Sequence, residues 1–487
     1  RPLTAAVTVG RRHAPRRALA GTGELVRLIL RLDRRRLPLW VAGLGLFAVY
    51  VATAIPLAYP TEEDLDGVTA LVTGPVGRML IGPGYGLSDP TYETLVGNGY
   101  ALYLMLLAAL MSAFLVVRHT RAEEQSGRAE LVRAAPVGRR AALTAAMVVA
   151  LLANAAVAGL VAVALVVAGG FDAGGSLLVG ASVGAVGLVF AAVGAVTAEL
   201  TRFSRAASGL AGAVLGAAFL VRAGGDLVEE GGTTLSWASP LGWAQQTAPF
   251  VLDRWWPLAL ALVATAVLTA VAYGLAARRD HGGSLLADRA GPVRARSLLG
   301  TPLGFAARLQ VSGALGWGIG LLLGGLVFGA FAESLRDAAE DVPKTLREVF
   351  GAEDLLDGYL AYAAAFIAYL VAAQALSAVQ ALRAEETAGR VEPVLATAVS
   401  RRRWLAAHLA SAALIAVVLS AAAGVATGVG AALVTGDGGH VGELTLAQLN
   451  QVPAVLAVLG LAGLLLGVAP RALPLAWAVV GYAVVVG

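Results

Sequence analysis

A charged stretch occurs twice in this chain, as RAEEQSGRAELVRAAPVGRR at 121–140 and as RAEETAGRVEPVLATAVSRR at 383–402. The two copies, called here the first and second islands, align at a constant offset of 262 (383 − 121). Arginine and glutamate side chains suit ion pairing and charge-assisted hydrogen bonding with another protein surface. The residues that we predict to form this recurring surface are Arg121, Glu123, Glu124, Gly127, Arg128 and Glu130, and Arg383, Glu385, Glu386, Gly389, Arg390 and Glu392.

The acidic residues of the islands favour a docking role over a simple solvated loop. On a continuous helix, Glu124 would pair with Arg128 at i,i+4 spacing, and Glu386 would pair with Arg390 in the same favourable order. Membrane topology needs only the arginines, because acidic residues contribute little to the positive-inside rule. We therefore interpret both islands as docking elements for a basic or polar surface of a partner protein.

The composition restricts the class of protein. Hydrophobic residues make up 58% and charged residues only 14% of the chain, against about 25% charged residues in soluble proteins. Cysteine is absent and the histidines are scattered, so we predict no metal site. The phosphate-binding pattern GxxxxGK[ST] is also absent, and the one lysine, Lys344, lies in DVPKTLRE. We expect no catalytic residue, no cofactor and no nucleic-acid partner.

Long apolar windows predict an all-α polytopic membrane protein, because about 20 apolar residues cross the hydrocarbon core as a helix. Arginine-rich loops alternate with acidic loops between the windows, and the positive-inside rule puts the islands and the N-terminus in the cytoplasm. We predict a multi-pass protein of the bacterial plasma (inner) membrane. The eleven windows lie at 37–59, 98–118, 141–168, 175–199, 206–222, 256–277, 312–333, 359–380, 404–434, 452–469 and 471–487.

The duplication extends beyond the islands. Six crossings return a repeat to its starting side, which predicts two parallel six-helix repeats. We predict a first six-span repeat with an N-terminal connecting helix at 1–277, a cytoplasmic linker at 278–300 and a second repeat at 301–487. The second repeat lacks a counterpart of 222–277, so about eleven of twelve spans are present and a last outer loop and span are expected. The equivalent pairs outside the islands include Arg31 with Arg308, Trp40 with Trp317, and Arg205 with Arg471.

Glycines spaced four residues apart predict close packing between spans. Such spacing lets helix backbones approach each other when packing drives association in lipid. The glycines concerned are Gly180 and Gly184; Gly316, Gly320 and Gly324; Gly325 and Gly329; and Gly424 and Gly428.

Aromatic residues in the second span of each repeat are candidates for a substrate cavity. Tyr100 and Tyr362 are equivalent at the offset of 262, and positions 362, 366 and 369 share one helical face. Such side chains suit a large, mostly apolar ligand, although core packing explains the same pattern. Asn154 is polar within the third span, where it lines a cavity or bonds to a neighbouring helix. The candidates are Tyr100, Tyr103, Asn154, Tyr362, Phe366 and Tyr369.

The doubled RAEE..GR.E pattern, the segment GTGELVRLILRLDRRRLPLW and the stretch SPLGWAQQTAPF carry a family resemblance. The chain resembles the fused two-repeat permeases of type-2 ABC exporters, and is most similar to the tetronasin-type exporters of polyketide antibiotics. This resemblance implies a connecting helix at 21–36 and coupling regions at 119–140 and 381–403. It also implies a separate ABC ATPase in two copies, which binds ATP and Mg, besides the lipid bilayer and a hydrophobic small-molecule substrate as partners.

The function implied by the resemblance is that of the permease subunit of an ATP-driven exporter of hydrophobic, polyketide-like drugs, and not of an enzyme. One alternative is an ABC exporter of a glycolipid or a polysaccharide, which the sequence does not separate from the first. Another is an ion-driven secondary multidrug transporter, which would need acidic residues in the middle of the membrane. Glu199 and Glu333, however, lie at the ends of predicted spans.

Overall fold

The computed structural model describes residues 18–279, 283–286, 293–294, 297–337 and 355–486. Lys344, parts of the predicted linker and residue 487 lie outside the described residues. The chain divides into two compact units, Arg1–Arg289 and Ala290–Gly487. The assignment of each half as a six-span repeat stays a prediction.

The first unit is built from helices and turns throughout its described residues. Its second span contains two π-helical stretches, Val96–Tyr100 and Arg118–Ala122. The helices are α1 Thr22–Leu32, α2 Arg36–Ala58, α3 Glu62–Thr73, α4 Pro75–Ile81, α5 Tyr92–Gln125, α6 Arg128–Ala134, α7 Ala141–Gly169, α8 Ala173–Leu200, α9 Ser204–Val228, α10 Pro240–Gln245 and α11 Pro257–Arg278.

The second unit is also helical where it is described. Ser400 caps the N-terminus of the helix Arg401–Thr435, because the Ser400 side chain accepts a hydrogen bond from the Arg403 amide. The helices are α12 Pro302–Asp337, α13 Leu355–Thr387, α14 Glu392–Leu395, α15 Arg401–Thr435, α16 Gly439–Asn450, α17 Val452–Val468 and α18 Ala476–Val486.

Among the described residues, 10 helices are long and apolar enough to cross a membrane. They coincide with ten of the eleven predicted spans, with α16 and α17 forming one span, and confirm the all-α polytopic class. The predicted span at 471–487 is not among these ten helices. Proline has no backbone N–H to donate, so Pro470 and Pro474 lie in a 3₁₀ turn and α18 has only 11 described residues.

Helix α8 lies at the centre of the first unit, where it packs against α5, α7, α9 and α11. Glycines permit this close approach. A Cβ atom at Gly184 would lie only 3.0 Å from the backbone oxygen of Asn154, and one at Gly194 only 2.9 Å from that of Ala113. Gly180 similarly contacts the backbone of Ala158. The predicted close packing through Gly180 and Gly184 is therefore confirmed.

In the second unit, α12 packs most extensively against α15. A Cβ atom at Gly325 would lie 2.9 Å from the Ala423 oxygen, which confirms close packing at this end of α12. The prediction for Gly316, Gly320 and Gly324 is wrong, because a Cβ atom there would meet no described atom within 4 Å. Those glycines share their stretch of α12 with Leu315 and Ile319, which are 63% and 61% exposed.

Candidate functional site

A left-handed glycine interrupts the helix in both islands. Gly127 has φ +76° and Gly389 has φ +70°, a conformation that glycine adopts without steric cost. Helix α5 consequently ends at Gln125 and α13 ends at Thr387. The predicted i,i+4 pairs of Glu124 with Arg128 and of Glu386 with Arg390 are wrong, because they required an unbroken helix.

Both islands instead form an ion pair that spans the interruption. Arg128 donates through Nε and Nη2 to the two carboxylate oxygens of Glu123, at 2.8 and 2.9 Å. Arg390 donates in the same way to Glu385, at 2.7 and 2.8 Å. These hydrogen bonds to the carboxylates raise the pKa of both guanidinium groups. Both arginines are more than half exposed, and such pairs contribute about 0–1 kcal/mol.

The first island also joins a buried charge cluster formed by Arg121, Glu124, Glu199 and Arg279. Arg121 donates through Nη1 to Glu124 Oε2 at 2.9 Å. Arg279 donates through Nη1 and Nη2 to Glu124 at 2.9 and 3.0 Å, and through Nε to Glu199 at 2.7 Å. The Arg121 side chain is 1% exposed. Two carboxylates balance two guanidinium groups, which makes their burial tolerable.

Backbone carbonyls complete the partners of the two arginines. Arg121 donates through Nε to Ala198 O at 2.7 Å, and through Nη1 to Gly283 O at 3.1 Å. Arg279 Nη1 also donates to Gly283 O, at 3.0 Å. The cluster therefore fixes the end of α5 to the end of α8 and to the chain that follows α11.

Asp33 connects the end of α5, just before the first island, to the corner between α1 and α2. Its Oδ1 lies 3.0 Å from Arg118 Nη1, and its Oδ2 lies 2.6 Å from His119 Nε2. The side chains of Asp33 and His119 are only 4% and 2% exposed. A buried carboxylate requires such partners, so the corner is held to the end of α5.

Two further contacts fix the island to α9 and α11. Gln125 Oε1 accepts hydrogen bonds from the amide and hydroxyl of Ser204, at 3.0 and 2.8 Å. Arg139 Nη2 donates to the carbonyl oxygens of Ala276 and Ala277, at 3.2 and 3.0 Å, in the last turn of α11. The first island thus contacts the end of α8, the start of α9 and the end of α11.

The second island has different surroundings. Arg383 is half-buried, and Glu386 pairs with the exposed Arg401 rather than with a buried arginine. By the repeat offsets, neutral residues stand in place of the side chains that hold the first island and the adjoining end of α5. The replacements are Gln310 for Asp33, Gln380 for Arg118, Ala381 for His119 and Leu465 for Glu199.

Asn154 bonds to a neighbouring helix. It is 1% exposed, and its Nδ2 donates to Ser112 Oγ and to Ala150 O, both at 2.8 Å. Ser112 lies on α5 and Asn154 on α7, so this bond joins two spans of the first unit. The second of the two alternatives for Asn154 is therefore the one observed.

The aromatic candidates lie on α5 in the first unit and on α13 in the second. The rings of Tyr100 and Tyr103 are 6.3 Å apart. Phe366 packs against Phe328 with ring centroids 5.6 Å apart, which is core packing of α13 on α12. Tyr362 is 43% exposed and Tyr369 is half-buried. The substrate cavity that we assign to these residues stays a prediction.

Sequence reasoning missed a buried ion pair at the other end of α9. Arg222 Nη1 lies 3.2 Å from Asp226 Oδ2, and both residues are fully buried. Ser236 Oγ donates to Asp226 Oδ1 at 2.5 Å, and Arg222 Nη2 donates to Met79 O at 2.5 Å. The i,i+4 spacing of arginine and aspartate at the end of a span is the signal that could have revealed the pair.

The described fold, with its ten candidate spans, defines a polytopic all-α membrane protein. The family model for the C-terminal domain of the multidrug efflux system permease Rv1217c matches residues 23–279 and 299–487. The multidrug efflux system permease protein Rv1217c of Mycobacterium tuberculosis is 40% identical over 476 residues, which cover 96% of this chain and 85% of that protein. The chain therefore belongs to the Rv1217c-like family of multidrug efflux permeases. Its class is that of a transporter subunit and not of an enzyme.

Proposed function

We propose that this chain is the permease of an ATP-driven ABC exporter of the tetronasin-type group, which moves hydrophobic, polyketide-like drugs out of the cell. It would lie in the bacterial plasma membrane with a cytoplasmic N-terminus. The islands would contact two copies of a separate ABC ATPase, and that partner would bind ATP and Mg. The family membership supports drug export, and the construction of the first island supports coupling to a partner.

The first island has one part that is held among helix ends and another part that is exposed. This division is the main support for the proposal. Arg121 and Glu124 are held among the ends of α5, α8 and the chain after α11. Beyond Gly127, α6 presents Leu131 with 77% of its surface exposed. A partner that moved α6 would therefore act on the ends of several spans at once, as alternating access between inward and outward states requires.

The ion-driven alternative would use a buried acid, and Asp226 on α9 is one. Buried ionisable residues within spans often belong to proton or ion pathways. Both carboxylate oxygens of Asp226 are, however, occupied by Arg222 and Ser236. This arrangement favours a structural pair that joins α9 to the neighbouring loops. The glycolipid or polysaccharide alternative shares the ATP-driven mechanism and differs only in substrate.

The test is uptake of a fluorescent hydrophobic dye by inverted membrane vesicles that contain the chain and its co-expressed ABC ATPase. We expect ATP, and not a proton gradient alone, to drive uptake. The double variant Glu130→Arg with Glu392→Arg should abolish ATP-driven uptake, because both side chains are exposed on the islands. Glu229→Arg, an exposed acid at the far end of α9, is the matched control and should transport normally.

Two results would contradict parts of the proposal. Uptake driven by a proton gradient without ATP would replace the ABC mechanism with the ion-driven one. Competition by a polysaccharide or glycolipid headgroup, with no competition by apolar drugs, would retain the mechanism and replace the substrate class.

A further inference from the structure

A cavity of about 300 Å³ lies in the first unit between α1, the first island, the start of α7 and the end of α11. Its apolar wall comes largely from one face of α1 and from α7. A volume of this size accommodates a drug-sized group or part of an acyl chain. The apolar residues that line it include Leu25, Leu28, Ile29, Leu32, Val132 and Leu143.

Helix α1 turns its apolar stripe toward this cavity. Residues 25, 28, 29 and 32 follow the i, i+3, i+4, i+7 spacing of an amphipathic helix, whereas Arg27 and Arg31 are exposed. Leu28 and Leu32 remain 38% and 54% exposed although they line the cavity. The protein itself therefore leaves part of the apolar stripe uncovered.

The charges around the cavity favour an anionic ligand. Glu123 is bonded to Arg128, and Glu124 and Glu199 are bonded to Arg279, so the acids of the lining are neutralised. Arg139 also lines the cavity and uses Nη2 for two backbone carbonyls of α11. Within the described residues, its Nε and Nη1 make no hydrogen bond. The charge available to a ligand is thus positive.

We propose that this cavity binds an anionic phospholipid, with an acyl chain along the stripe of α1 and the phosphate at Arg139. An apolar wall beside the Arg139 guanidinium matches an amphiphile rather than a free phosphate or a hydrophobic cation. The cavity also lies where spans end, because α2 begins at Arg36 and α11 ends at Arg278. Amphipathic helices at that level contact the headgroup boundary of the bilayer. The proposal does not depend on the ATP drive.

The experiment is photo-crosslinking of the full chain in phosphatidylcholine vesicles that contain a trace of photoactivatable phosphatidylglycerol, followed by peptide mapping. We expect crosslinks on the segments that carry Leu28 and Leu143. Arg139→Gln should reduce these crosslinks about tenfold, the effect of one lost charge-assisted hydrogen bond. Arg140→Gln removes the same charge from a neighbour that does not line the cavity, and should stay within about twofold of wild type.

A second variant tests the cavity itself. Ala142 lines the cavity with an exposed side chain, so Ala142→Phe should fill it without disturbing the buried core and should abolish the crosslinks. Unchanged crosslinking in Ala142→Phe would show that the lipid binds elsewhere. Equal labelling by photoactivatable phosphatidylcholine would remove the anionic preference. Competition by inorganic phosphate alone would contradict a lipid ligand.

Discussion

The two islands have the same exposed features and differ in the burial of their first arginine. Both contain a left-handed glycine and an exposed bidentate pair, Glu123 with Arg128 and Glu385 with Arg390. Their first arginines differ, because the Arg121 side chain is 1% exposed whereas Arg383 is half-buried. The repeated motif therefore specifies an exposed shape, and the attachment of that shape to the spans is decided elsewhere in the sequence.

The acidic partners explain the difference in burial. Arg121 and Arg279 are buried with Glu124 and Glu199, whereas the position equivalent to Glu199 is Leu465. A guanidinium group is costly to bury without a carboxylate partner. We infer that the first island is held to its spans more rigidly than the second island is.

The largest expected effect concerns the first arginine of each island. Arg121→Met removes a buried guanidinium and leaves Glu124 and the Ala198 carbonyl short of a partner, which should cost about 3–5 kcal/mol of folding stability. Arg383→Met should cost no more than about 1 kcal/mol, as expected of a less buried charge. Thermal unfolding in detergent, followed by tryptophan fluorescence, compares the two variants. Equal shifts in the midpoint would show that the two arginines contribute alike to stability.

The Asp33 contacts can be tested by replacing residues of the first repeat with their equivalents from the second. Asp33→Gln introduces the residue found at Gln310 and leaves Arg118 and His119 without their acid, at a cost of about 1–3 kcal/mol. Adding Arg118→Gln and His119→Ala should recover part of that loss, because the two side chains that depended on the Asp33 carboxylate are then removed. The same unfolding measurement applies. A triple variant less stable than Asp33→Gln would show that these three side chains do not act as a unit.

The glycines should respond alike in both islands. Gly127→Ala and Gly389→Ala each force a side chain into the left-handed conformation, which costs about 1–2 kcal/mol. An added Cβ atom would meet nothing within 4 Å at Gly127, and its nearest neighbour at Gly389 would be Glu392 at 3.9 Å. The cost is thus backbone strain alone. A much larger loss in one variant would reveal a further constraint on that island.

The smallest effect is expected for the exposed pairs. Glu123→Gln and Glu385→Gln should each change the free energy of unfolding by at most about 1 kcal/mol, because both pairs are solvent-exposed. Raising the salt concentration should shrink even this difference. If Glu123→Gln were far more destabilising than Glu385→Gln, the islands would differ at their surface as well as in their interior.

Sequence patterns predicted the spans better than they predicted the site. Apolar length is a local property, so ten spans were recognisable from windows of residues. The cluster of Arg121, Glu199 and Arg279 depends on three segments that meet only in the folded unit. The wrong Glu124–Arg128 pair has a local cause, because that prediction requires a continuous helix through Gly127, where a left-handed glycine ends the helix. The burial of Arg222 was hidden because α9 extends beyond its predicted end.

The hydrogen bonds to Gly283 have a practical meaning for dissecting this protein into separately expressed pieces. Gly283 O accepts from both Arg121 and Arg279, five residues beyond the end of α11 at Arg278. A fragment cut at the last residue of that helix would lose Arg279 and this carbonyl together, and would strand Glu124 and Glu199 near a lone Arg121. A fragment that continues to Arg289, the end of the compact unit, would retain all of these contacts.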